Sequence, residues 1–100
     1  MKFGISDKSY ALMLATFAKE KSIKSVTLFG SRVMGNYKKG SDIDLAVISN
    51  NHELDLKLAT KLNQELPIPY YFDVINYNYL KNKELKKHIN TYGKVIYKAK

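Results

Sequence analysis

The residues able to do chemistry in this chain fall into two short clusters. Gly30-Ser31 closes one apolar run that begins at Val26. Asp42-Ile43-Asp44 opens another that ends at Ile48, and ten residues, 32–41, lie between the clusters. Side chains two apart on a strand point the same way, so Asp42 and Asp44 would present two carboxylates on one face. Unpaired, they repel. A divalent cation relieves that repulsion, and all-oxygen donors suit Mg²⁺, or Mn²⁺ as the other hard ion. Asp73, inside a third extended run from Tyr71 to Ile75, offers a further carboxylate. Three carboxylates can hold two ions about 4 Å apart, the arrangement that clamps the attacking and leaving oxygens of an in-line phosphoryl displacement.

The other cluster suits an anion. Glycine lets backbone approach a phosphate closely, N–H groups at the start of a helical turn attract negative charge, and the Ser31 hydroxyl adds a donor. Arg32, Lys38 and Lys39 can neutralise further phosphate charge. Taken singly, each feature is ordinary: Gly-Ser as a turn, Asp-x-Asp as a strand entrance, paired lysines as a soluble loop. Their joint placement at strand ends is what argues for one site.

The elements that must position these residues follow from periodicity. Ser6 and Asp7 can cap a first helix over about 7–20, with Tyr10, Leu14, Phe17 and Ala18 at helical spacing. Ser25 to Phe29 reads as strand one, Ser31 to Met34 as one helical turn stopped by Gly35, and Asn36 to Ser41 as a polar loop. Ile43 to Ile48 reads as a central strand buried on both faces. Leu54, Leu58, Leu62 and Leu66 mark a helix over about 51–66, with Asn50 or Asn51 as its cap and Pro67 and Pro69 as its end. Tyr71 to Ile75 is strand three. A last helix spans about 79–92, with Gly93 as its terminating residue. Val95-Ile96-Tyr97 is either a short extended segment or a clasp against the core.

The strand–helix–strand order from 43 to 75 makes strands two and three parallel, which brings Asp42, Asp44 and Asp73 to the same end. For Ser31 to reach them, strand one must run antiparallel to strand two. The expected fold class is therefore α/β (α+β): a small mixed sheet of about three strands with helices packed on it, in a single domain over residues 1–100.

Composition limits the function. The chain has 100 residues, 45% hydrophobic and 26% charged, as an ordinary globular domain has. It contains no cysteine, which excludes disulfides, thiolate metal sites and a cysteine nucleophile. No run approaches the length of a membrane span and the N-terminus has no signal-like apolar stretch, so the expectation is a cytoplasmic protein without membrane contact. A formal charge of +8 favours polyanions. The lysines crowd the end of the chain (81, 83, 86, 87, 94, 98 and 100, against Glu84 alone), as a solvated face or as a surface for a partner or nucleic acid.

Leu28-Phe-Gly-Ser-Arg-Val-Met-Gly35, followed by Gly40-Ser-Asp-Ile-Asp-Leu-Ala-Val47, resembles the signature of the DNA polymerase beta-like nucleotidyltransferase superfamily, and in particular its minimal nucleotidyltransferases. The resemblance runs over nearly the whole chain. It implies that Gly30, Ser31 and Arg32 bind the triphosphate. It also implies that Asp42 and Asp44 hold the metals and that Asp73 completes the site and helps deprotonate the acceptor. Relatives often carry a second basic residue soon after the arginine, where this chain has Val33-Met34.

The implied reaction uses Mg²⁺ and ATP, transfers AMP to a hydroxyl and releases pyrophosphate. Minimal nucleotidyltransferases resemble antitoxins paired with a helical HEPN-domain toxin, on which some modify a tyrosine. The expectation is that the acceptor pocket comes largely from another chain. Two alternatives stay open: a non-catalytic subunit that neutralises a HEPN partner by contact, and a transferase acting on a small molecule or an RNA end.

Overall fold

In the computed structural model, which describes residues 1–100, the first helix α1 spans Asp7–Lys19. Ser6 caps it, accepting a hydrogen bond from the Ser9 backbone N–H. Strand β1 (Ile23–Phe29), the single helical turn α2 (Ser31–Met34) and strand β2 (Ile43–Ser49) follow. Helix α3 (Leu54–Thr60) continues as a widened π-helical turn over Lys61–Glu65. Strand β3 (Phe72–Asn76), a 3₁₀ turn at Tyr77–Tyr79, helix α4 (Lys83–Tyr92) and strand β4 (Lys94–Lys98) complete the chain.

The sheet has four strands in the order β3-β2-β1-β4. β2 and β3 run parallel, while β1 is antiparallel to both β2 and β4. The expectation of a mixed sheet holds, including the antiparallel sense of β1 that a shared site required. The strand count is corrected from three to four. Of the two readings of Val95-Ile96-Tyr97 the extended one holds: the segment is the middle of an edge strand, paired through Thr27↔Val95 and Val26↔Tyr97.

Alternation on the strands divides the core into two layers. Val26, Leu28, Ile43, Leu45, Val47 and Phe72 point to one face, where Met13 and Phe17 of α1 and Leu54, Leu58 and Leu62 of the α3 region cover them. Phe29 and Ala46 point to the other face and meet Ile89 of α4. β2 is thus buried on both sides, which its unbroken apolar run requires. Each fully buried Leu or Phe side chain contributes about 1.5–3 kcal/mol, and the larger layer carries most of that stabilisation.

Two helices differ from the periodicity. The leucine repeat continues through the π-helical turn, so the α-helix proper is shorter than 51–66, and Glu53 rather than Asn50 or Asn51 occupies its cap position. The last helix begins at Lys83, where the Asn82 side chain accepts from the Leu85 N–H. Its end also differs from expectation. Gly93 has φ −60° and does not take up the left-handed conformation. Glycine is needed there for space, because a Cβ would collide with the Ile89 carbonyl and the Thr27 side chain. The bare backbone lets the end of α4 settle directly on β1.

Candidate active site

The turn after β1 is built around Gly30. Its φ of +83° and ψ of −155° belong to a region only glycine occupies without strain. A Cβ at this position would run into Asp44 Oδ2, so the turn backbone lies directly against that carboxylate. Ser31 opens α2 and is half-buried. Gly30 O accepts from the N–H groups of Val33 (3.2 Å) and Met34 (3.1 Å), and Gly35, left-handed at φ +83°, stops the turn.

The aspartates assemble through strand register. Asp44 pairs with Phe29 across the antiparallel ladder and with Asp73 across the parallel one. Asp44 and Asp73 therefore lie side by side on the α4 face, at the sheet end where β1 turns at Gly30. Asp42, exposed just before β2, sits two residues from Asp44. Burial, then the charges of Asp73 and Asp42, push the Asp44 carboxyl up to about 6, against the opposing pull of Arg32. Three carboxylates thus share one electrostatic site. They do not close into a ready-made three-ligand cage. Repulsion between unpaired carboxylates opposes such closure, and a divalent cation removes it.

Asp73 is held from behind. Asn63, on the π-helical turn, receives the Phe72 N–H at Oδ1 (2.7 Å) and donates from Nδ2 to the Phe72 carbonyl (2.9 Å). The amide occupies the outer edge of β3 as a neighbouring strand would. Periodicity gave no sign of this role, because an asparagine beside a leucine repeat reads as a solvent-facing residue.

Arg32, expected at the phosphates, is only 3% exposed and its guanidinium faces inward. Nε and Nη2 donate to the Ser41 carbonyl (3.2 and 2.7 Å), Nη1 donates to the Phe3 carbonyl (2.9 Å), and the Tyr37 and Tyr70 rings flank it. Arg32 thus fixes the peptide just before Asp42. Lys38 and Lys39 line a cleft with Tyr37, Pro69 and Tyr70 that none of the three aspartates borders.

His88 was missed in the sequence. From α4 its Nε2 accepts the Gly30 N–H at 3.3 Å, and its ring packs edge-on against Phe29 and tilted against Tyr92. A lone histidine on a lysine-rich helix carries no sequence signal for a partner 58 residues away.

A glycine turn abutting an aspartate pair at one end of a mixed sheet is the arrangement expected of a nucleotidyltransferase-type domain. The family comparison agrees: residues 13–100 match the polymerase beta nucleotidyltransferase model, and the chain belongs to that family.

Among solved structures, similarity extends to a toxin–antitoxin complex with AMP-PNP, at 22% identity and TM-score 0.71 over 96% of this chain and 76% of that one. A MntA–HepT toxin–antitoxin structure aligns at 19% identity and TM-score 0.67, over 94% and 74% of the two chains. A complex of tri-AMPylated Shewanella oneidensis HEPN toxin with MNT antitoxin aligns at 21% identity and TM-score 0.61, over 90% and 73%. At these identities the likeness establishes the fold. No curated protein sequence matches the chain. No helix is long and apolar enough to cross a membrane.

Proposed function

We propose that this chain is a Mg²⁺-dependent nucleotidyltransferase of the cytoplasm that moves AMP from ATP to a tyrosine hydroxyl of a HEPN-domain toxin and thereby acts as its antitoxin. The observation that carries this reading is the register that sets Asp44 beside Asp73 where the Gly30 turn meets the Asp44 carboxylate. The complexes that share the fold support the choice of partner, one holding AMP-PNP and another a tri-AMPylated HEPN toxin. Asp42 and Asp73 are exposed, so an acceptor protein can reach the site.

In this reading Gly30 and Ser31 receive the triphosphate, and Asp42, Asp44 and Asp73 hold the cation. When bound, the cation supplies neutralisation of phosphate charge. Asp73 is exposed at the sheet edge and takes the proton of the incoming hydroxyl. The hydroxyl oxygen bonds to the α-phosphorus, the bond from that phosphorus to the bridging oxygen breaks, and pyrophosphate leaves. Arg32 and Asn63 act indirectly, fixing the backbone on either side of the acidic cluster.

The test is mass spectrometry of a HEPN-domain partner incubated with ATP, Mg²⁺ and this protein. The expected result is one or more AMP additions on tyrosine, abolished by the Asp42→Asn/Asp44→Asn double variant. An unmodified partner bound equally well by both proteins would contradict the reading and leave a non-catalytic neutraliser.

A further inference from the structure

The strongest feature outside the acidic cluster is the contact between α4 and the glycine turn. Its groups meet across 58 residues of sequence. An imidazole that accepts a hydrogen bond at Nε2 carries its proton on Nδ1, so the ring presents a lone pair to Gly30. The ring is also fixed laterally, with its centroid 6.3 Å from Phe29 at 75° and 5.5 Å from Tyr92 at 48°. One residue along, Ile89 is buried against Phe29 and Ala46, which anchors the helix to the strands that carry the turn. Gly93 lets the helix end approach Thr27 closely. His88 is thus held by the sheet on one side and holds the turn on the other.

We infer that His88 is a positioning residue for the phosphate-binding turn: by accepting the Gly30 N–H it fixes that peptide in the glycine-only conformation and leaves Ser31 to face the anion. The inference rests on the nucleotidyltransferase reading for the identity of the anion. Gly30 is a residue whose backbone has many alternatives, and its peptide lies against a carboxylate. Without an acceptor, the N–H gains by swinging toward Asp44 or water, and the turn loses its preset shape. The role requires an acceptor at the position of Nε2. It does not require an imidazole, so glutamine, which can carry its amide oxygen to that place, substitutes.

The experiment compares wild type, His88→Gln and His88→Leu. Gly30 amide hydrogen exchange is measured by NMR on the free proteins, and binding of inorganic triphosphate with Mg²⁺ by calorimetry. Expected are a protected Gly30 amide in wild type and His88→Gln, exchange about ten-fold faster in His88→Leu, and triphosphate affinity about ten-fold weaker in His88→Leu alone. Unchanged Gly30 exchange in His88→Leu overturns the inference, as does an equal loss in both variants, which would assign His88 to packing. Wild type that binds no triphosphate would instead overturn the nucleotidyltransferase reading, while the exchange data still decide whether His88 holds the turn.

Discussion

Asp44 and Asp73 stand opposite one another on adjacent parallel strands, one pair in the register that runs from Ile43↔Phe72 to Val47↔Asn76. Like charges directly across a ladder destabilise it. Keeping them there, with a glycine turn pressed against one of them, costs stability.

That cost depends on pH. The Asp44 carboxyl titrates at about 6 in the folded chain against 3.8 unperturbed, chiefly through burial and then through Asp73 and Asp42. A raised folded value favours the fold below the unfolded value, and that contribution is lost as pH rises through 6. Asp44→Asn should therefore match wild type in thermal stability near pH 4 and exceed it at pH 7 in the absence of metal. Mg²⁺ should raise the wild-type melting temperature at pH 7 and do little near pH 4. Melting curves at the two pH values check both statements.

Gly30→Ala should lower stability by about 2 kcal/mol or more, since it places a side chain in a strained backbone region. It should also abolish transfer, because the added carbon displaces the Asp44 carboxylate. Urea denaturation measures the first effect and an AMP-transfer assay the second.

Arg32→Met should cost about 2–4 kcal/mol, because it leaves the Ser41 and Phe3 carbonyls without their donor. Phe3 is left-handed at φ +56°, so its turn depends on that support. Arg32→Lys should recover only part of the loss, since an ammonium cannot supply the paired donors on Ser41. Denaturation midpoints rank the three proteins.

Asn63→Ala should cost about 1–3 kcal/mol by removing both bonds to Phe72. It should reduce AMP transfer as well, because the strand segment carrying Asp73 loses its outer support. Stability and transfer rate measured on one preparation check the two together.

The sheet's mixed sense was legible because Gly-Ser and Asp-x-Asp had to meet, and only one orientation of β1 allows it. Alternation and the unbroken run from Leu45 to Ile48 placed β2 at the centre. β4 was less legible, since Val95-Ile96-Tyr97 is three residues flanked by lysines, and an edge strand half open to water needs no strong pattern. The leucine repeat could not distinguish an α-helix from one that widens at Lys61, because both keep the same stripe inward. The contacts of Arg32, and His88 altogether, escaped for a different reason. Their roles lie in hydrogen bonds to backbone groups of distant residues, Phe3 and Gly30, and backbone groups leave no mark on side-chain identity.

The measurement that bears most directly on the central claim is Mn²⁺ binding followed by electron paramagnetic resonance with AMP-PNP present, in wild type, Asp44→Asn and Asp73→Asn. Wild type should bind Mn²⁺ with the nucleotide, and each single variant should weaken binding about ten-fold or more, since the two carboxylates act on one site. Mn²⁺ bound equally by all three proteins would contradict the account.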